Sequence, residues 1–205
     1  MAKLYFYYAS MNAGKSTMLL QSSFNYRERG MRTLLFTAAI DDRHRHGTIT
    51  SRTGLEAPAT VFAANSDLAA IVAAENAADK LHCVLVDEAQ FLTPAQVWQL
   101  AGIADTMAIP VLAYGLRTDF LGALFPGSAV LLAISDVLAE IKAVCGCGRK
   151  ATMNLRIDPA GHAVAAGAQT EIGGNDRYVA LCRRHFSAAL AGAMVGGNDD
   201  GESAA

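Results

Sequence analysis

No sign of charge dominates this 205-residue chain: 17 Lys and Arg stand against 19 Asp and Glu, a formal net of −2. A protein that wraps a nucleic-acid backbone shows a basic excess, so the balance argues against nucleic acid as a partner. Long apolar runs are missing as well. No uninterrupted stretch reaches the ~18 residues that a membrane-spanning helix needs. The opening "MAKLYFYYAS" is too short an apolar run for a secretory signal, and "NAGKS" resembles no cleavage site. Together these absences predict a cytoplasmic protein without a membrane partner. Cysteine is scarce, with only Cys83, Cys145, Cys147 and Cys182. In a reducing compartment they do not form a disulfide framework, and Cys83, inside the apolar run "CVLV", reads as a buried core thiol. No internal repeat is present.

What the chain does have is alternation. The aromatic, apolar run "KLYFYYA" (3–9) predicts a buried parallel strand ending at a glycine-bearing turn. Met18, Leu19, Ser22 and Tyr26 recur at helical spacing and predict a helix over 15–30, stopped by Gly30. Further strands are predicted at "RTLLFTAA" (32–39), "HCVLVDE" (82–88), "PVLAYG" (110–115) and "AEIKAVC" (139–145). The polar, aperiodic "DDRHRHGTITSRTG" (41–54) reads as a loop. Ser66 is placed to cap the helix "DLAAIVAAENAA", Thr93 and Pro94 open another, and "SAVLLAIS" is a short helix. Strand and helix in turn predict an α/β fold, a parallel sheet flanked by helices. After Cys145 glycines crowd in ("CGCGRK", "AGHAVAAGAQ", "IGGND"), which marks a second, smaller module. The predicted organisation is residues 1–143, 144–193, and a polar, disordered tail over 194–205.

The turn after the first strand is the chemical centre of the sequence. "ASMNAGKS" (9–16) matches the end of the phosphate-loop pattern G-x-x-x-x-G-K-[ST], with Ala9 in the place of the first glycine. Gly14 lets backbone approach phosphate oxygens, and N–H groups from about Met11 to Ser16 form an anion nest at a helix N-terminus. Lys15 reaches the β- and γ-phosphates, and the Ser16 hydroxyl ligates Mg²⁺. Ala9 is tolerable if the backbone there is ordinary strand, because glycine is required only at positive φ. Downstream, "VLVDEAQ" puts Asp87 and Glu88 at the C-terminal end of a strand, where open α/β sheets bind ligands. Asp87 reads as the metal-side carboxylate. Glu88 either orients water, as in an ATPase, or takes the proton of an acceptor hydroxyl, as in a kinase.

Two local pairs, "CGC" (145–147) and "CRRH" (182–185), offer Cys145, Cys147, Cys182 and His185 as tetrahedral zinc ligands. Four protein ligands leave no open position, so the site is structural, stapling a module too small to hold a core alone. The alternative is a set of unrelated reduced cysteines.

In this order, "LYFYYASMNAGKST", "HCVLVDEAQFL", "IPVLAYGLRTDF", "CGCGRKA" and "IGGNDRYVALCRRH" resemble the small, zinc-containing type of the thymidine kinase family, and closely its bacterial members. The resemblance runs over nearly the whole chain. It implies a P-loop NTPase-like α/β domain with a C-terminal zinc and lasso domain, and Mg²⁺-dependent transfer from ATP to the thymidine 5′-hydroxyl. Glu88 is then the general base. ATP would be held by Ala9, Ser10, Met11, Asn12, Ala13, Gly14, Lys15 and Ser16, and by Asp87, Glu88, Ala89 and Gln90. Asp41 and Arg43 match an acidic–arginine pair near the phosphates and sugar, with Gln90 beside the base. Met11, Leu116, Phe120, Phe125, Asn154 and Tyr178 correspond to nucleoside-pocket positions, with core as the lesser alternative for Phe120 and Phe125. "AQTEIGGNDRY" would be the lasso, with Glu171, Ile172, Gly173 and Gly174 on the base edge. A homotetramer, feedback inhibition by thymidine triphosphate and deoxyuridine as a second substrate are implied by the resemblance alone. Two rivals stand beside the kinase: a P-loop ATPase, and a zinc-ribbon nucleic-acid adaptor with a degenerate nucleotide site.

Overall fold

The computed structural model describes residues 1–41, 45–169 and 177–192. They fall into two compact units: residues 1–9, 14–117 and 124–141 make one, and 10–13, 118–123 and the chain from 142 onward make the other. Among the described residues no helix is long and apolar enough to cross a membrane.

The first unit is built on six parallel strands. In chain order these are β1 (Leu4–Ala9), β2 (Thr33–Ala38), β5 (Thr60–Phe62), β6 (Cys83–Val86), β7 (Val111–Leu116) and β8 (Val137–Glu140). Across the sheet they run β5-β2-β6-β7-β1-β8, every neighbouring pair parallel. Between β2 and β5 lies a small antiparallel pair, β3 (Thr48–Thr50) with β4 (Glu56–Pro58). Side chains alternate across a strand, so Leu4, Phe6, Val84, Val86, Val111 and Ala113 share one face. They pack with Leu68 and Val72 of α2 (Leu68–Ala78), Val97, Leu100 and Ile103 of α3 (Pro94–Met107), and Leu131 of α4 (Pro126–Ile134). The opposite face carries Cys83, Leu85, Leu112 and Tyr114 against Leu19 and Leu20 of α1 (Lys15–Arg27). Burial on both faces is why these strands read as unbroken apolar runs. The Tyr7 and Tyr114 rings stack at 4.7 Å, and the Tyr114 hydroxyl lies 3.1 Å from Ser22 Oγ, which ties α1 to the sheet.

Several local expectations change. Helix α1 ends at Arg27, three residues early, with Gly30 in the left-handed turn that follows. It buries Leu19, Leu20 and Ser23, whereas Met18 is 42% exposed. Its rotation is set by the sheet beneath it, since the helix has no strong apolar stripe of its own. The cap of α2 is Asp67, whose carboxylate accepts the Ala70 N–H at 3.0 Å. Ser66 Oγ instead accepts from Ala63 N–H in the preceding turn. Thr93 and Pro94 do open α3, and Gln96 completes a reciprocal capping box with Thr93. "AEIKAVC" is not one strand: β8 joins the large sheet, and β9 (Ala143–Val144) pairs with β10 (Lys150–Ala151) in the second unit. The segment 41–54, read as loop, contains β3.

That second unit adds β11 (Met153–Arg156), antiparallel to β12 (Tyr178–Leu181), and α5 (Arg183–Leu190). Its core is small: Cys145, Ala151, Leu155, Leu181, Cys182, Phe186 and Ala189. The tail expected over 194–205 lies outside the described residues.

Candidate functional site

Strands β1 and β6 end on the same edge of the sheet, and the chemistry gathers there. Ala9 closes β1 in regular pairing with Leu116. Among the described residues the non-glycine positions at positive φ are Asn12, Glu88 and Ala108, so Ala9 holds the ordinary strand conformation that makes its missing glycine harmless. Asn12 (φ 64°) and Gly14 (φ 84°) are left-handed, and Gly14 is the N-cap of α1. Behind it Lys15 is 9% exposed, and Ser16 Oγ donates to Asp87 Oδ2 at 2.8 Å. Burial pushes the Asp87 carboxyl well above the usual range, and the neighbouring Glu88 carboxylate adds to this; Ser16 and Lys15 counter it only in part. Two buried carboxyl groups beside one lysine form a donor set that a hard divalent cation satisfies.

Glu88 follows at φ 51° and ψ 40°. A non-glycine residue there costs roughly 1–3 kcal/mol and persists only where its surroundings hold it. They do so here. The Glu88 N–H donates to Asp87 Oδ1 at 3.0 Å, and Gln90 Nε2 donates to Glu88 Oε2. Gln90 Oε1 in turn accepts the Leu116 N–H at 2.9 Å. The 3₁₀ turn Ala89–Phe91 sits against α4, where a methyl on Gly127 would lie 2.5 Å from the Leu92 carbonyl oxygen and 3.0 Å from that of Ala89. Gly127→Ala is therefore expected to destabilise, by about 1–3 kcal/mol of overpacking set against the usual helical gain of ~1 kcal/mol. Gly102→Ala in α3 is the control: nothing lies within 4 Å of the added methyl, and it is expected to stabilise by about 0.5–1 kcal/mol. Urea unfolding of the two variants checks the opposite signs.

The remaining first-unit candidates are Asp41, Leu116 and Phe125. Asp41 is half-buried, with its N–H on the Ala38 carbonyl at 3.0 Å. Phe125 is buried edge-on to Phe91, ring centroids 6.0 Å apart. Arg43, Glu171, Ile172, Gly173 and Gly174 lie outside the described residues.

In the second unit, Asn154 is held at both ends of its amide. Its Oδ1 accepts the Met11 N–H at 2.7 Å and its Nδ2 donates to the Thr118 carbonyl at 2.9 Å. The Met11 N–H, expected to open the anion nest, is thus already committed. Phe120 is 1% exposed, and the Arg156 guanidinium covers its ring at 3.8 Å from the centroid. Arg156 also donates to the carbonyls of Ala166 and Ala168. Asp119 accepts from the N–H groups of Leu121 and Ala123 and from Gln169 Nε2. Sequence reasoning passed over Arg156 and Asp119. The available signals were an arginine inside the apolar strand "MNLRI" and an Asp two residues before Leu121-Gly122, the pattern of a side-chain-closed turn. Tyr178 opens β12.

Cys145, Cys147, Cys182 and His185 do converge: their ligand atoms all lie within 4.8 Å of one another. Cys145 Sγ is 3.3 Å from His185 Nδ1, and Cys147 Sγ is 3.9 Å from Cys182 Sγ. A tetrahedral zinc with bonds of ~2.3 Å to sulfur has ligand–ligand edges of about 3.8 Å, so the cluster fits. Burial would push the Cys145 thiol up, but the backbone N–H groups of Cys147 and Cys182 and the His185 ring outweigh it. The thiol falls to about 6, favouring the thiolate that metal binding needs.

Comparison with known proteins agrees in one direction. A family model described as thymidine kinase matches residues 2–186. The chain is 69% identical over 190 residues to the thymidine kinase of Novosphingobium aromaticivorans, covering 93% of this chain and 99% of that protein. It is 64% identical over 186 residues to that of Zymomonas mobilis, covering 91% and 96%. The thymidine kinase of Legionella pneumophila is 62% identical over 200 residues, covering 97% and 95%.

Proposed function

This chain belongs to the thymidine kinase family, and from that membership we propose how its residues divide the work of an ATP-dependent nucleoside kinase. The reaction moves the γ-phosphoryl of ATP onto the 5′-hydroxyl of thymidine, giving thymidine monophosphate and ADP. The observation that carries the division of roles is the chain of contacts from Ser16 through Asp87 to Glu88 and Gln90. In it a buried carboxylate accepts from the phosphate-loop serine and a second carboxylate, held by Gln90, follows directly, which supports the reading of the first as the metal-side group and the second as the base.

Residues 9–16 and the main chain of 87–90 cradle ATP, with Lys15 on the β- and γ-oxygens. Ser16 and Asp87 would hold Mg²⁺, which when bound neutralises charge on the transferring phosphoryl group. Glu88 accepts the 5′-hydroxyl proton as the new O–P bond forms. Asp41 and Arg43 serve the phosphate and sugar. Met11, Leu116, Phe120, Phe125, Asn154 and Tyr178 supply the apolar slot with few polar groups that a pyrimidine requires. The segment Glu171–Gly174 meets the base edge with backbone groups and excludes water that competes for the γ-phosphoryl. Cys145, Cys147, Cys182 and His185 hold a structural zinc. A cytoplasmic homotetramer, inhibition by thymidine triphosphate and acceptance of deoxyuridine complete the proposal, on the strength of the family resemblance.

Phosphate transfer from labelled ATP across a panel of nucleosides tests it. Label is expected in thymidine monophosphate and, more weakly, in deoxyuridine monophosphate. ADP release at full rate without any nucleoside would make the chain an ATPase instead.

A further inference from the structure

We infer that Gln90 is a positioning residue that orients the Glu88 carboxylate for proton transfer, rather than a reader of the base. The inference rests on Glu88 being the base. Gln90 is 2% exposed, so its amide has no access to bulk water and depends on protein partners. The Leu116 N–H can only donate, so the atom 2.9 Å from it is the amide oxygen, and this fixes which way the amide lies. The NH₂ end then falls on Glu88 Oε2, a donor against an acceptor that carries charge. Gln90 therefore spans from the end of β7 to the carboxylate.

Glu88 needs such a hold. Its left-handed backbone belongs to no helix or strand, so no regular element dictates where its side chain points. The neighbourhood is cut to fit Gln90. A methyl on Gly115 would lie 2.9 Å from the Gln90 backbone nitrogen and 3.0 Å from its Oε1, so only glycine leaves room for the amide at that point. Ser128 Oγ donates to the Leu116 carbonyl at 2.6 Å and steadies the strand end that presents the N–H. With its oxygen on Leu116 and its nitrogen on Glu88, the amide is held at both ends and acts on the reaction through the carboxylate.

The test is a mutant cycle in the full-length zinc-loaded protein: Gln90→Met, Gln90→Glu, Glu88→Gln, and Glu88→Gln with Gln90→Met, each with kcat and both KM values measured. Gln90→Met removes the donor at similar length. Gln90→Glu keeps an oxygen for Leu116, puts a carboxyl group against Glu88 in place of the donor, and serves if the Met variant fails to fold. Both are expected to lower kcat about tenfold or more while each KM stays within about twofold, the Met variant by lost orientation alone and the Glu variant by repulsion as well, which shifts its kcat–pH profile upward. The double variant is expected to be no slower than Glu88→Gln alone, because Gln90 has nothing left to orient. A raised thymidine KM at unchanged kcat, or losses that multiply in the double variant, would overturn the inference. So would wild-type kcat in both Gln90 variants beside a slow Glu88→Gln, which leaves the base intact. Full turnover by Glu88→Gln would instead remove the base itself, and the inference with it.

Discussion

Glu88→Gln is expected to bind ATP and thymidine nearly as the parent does and to turn over about a hundredfold or more slowly. On the rate scale that is at least ~2.7 kcal/mol of lost transition-state stabilisation. The substitution is close to isosteric, and the amide oxygen it introduces can still accept from Gln90 Nε2, so the turn Ala89–Phe91 survives. It also removes a carboxylate that raises Asp87, so the Asp87 carboxyl moves back toward its usual range and its value as a cation ligand improves. What vanishes is an interaction that matters once the hydroxyl proton is moving, and such losses appear in kcat rather than in ground-state binding. Steady-state kinetics with both substrates varied decide it. Unchanged turnover would take Glu88 out of the reaction.

Cys182→Ala is expected to abolish stoichiometric zinc and to unfold the second unit while the six-stranded sheet persists. The second unit has a core of a few small and medium side chains around Leu155 and Phe186, too little apolar area to offset the entropy of ordering its loops. Structural zinc supplies on the order of 10 kcal/mol of apparent folding free energy in small modules, and most of that depends on a complete ligand set. Cys182 stands directly before α5, the helix that carries His185, and its side chain makes no capping hydrogen bond, so the expected loss comes from the proposed zinc link alone. Metal analysis and hydrogen exchange, resolved between residues 4–116 and 143–190, measure both halves of the expectation. A mutant with the parent's zinc content would refute the ligand assignment.

How much of this could be read before the fold was known depends on the kind of signal. "CVLV" and "PVLAYG" announced buried parallel strands because both of their faces are covered, and unbroken apolarity is what that burial requires. Thr93-Pro94 fixed the start of α3, since its capping chemistry is local. Three-residue strands such as Thr48–Thr50 and Thr60–Phe62 were missed, because so short a segment carries no period and gains its pairing from partners elsewhere. Ser66 and Asp67 are both good caps one residue apart, and only the turn geometry chose between them. Asn154 and Gln90 could be noted as polar residues in suggestive places. Their partners, Met11, Thr118 and Leu116, are far away in the chain and left no trace in the local pattern.

Residue chemistry and short-range spacing, then, were legible in the sequence: which side chains have the chemistry for phosphate, a proton or a metal ion, and that alternating strands and helices form a parallel sheet with Lys15, Asp87 and Glu88 at one edge. Those properties belong to the side chains and their immediate neighbours. The tertiary structure alone decided which buried amide faces which carboxylate, which N–H of the loop is already taken, and where a glycine leaves just enough room. These are long-range pairings forced by close packing, where a buried polar group must find a partner wherever the fold has brought one.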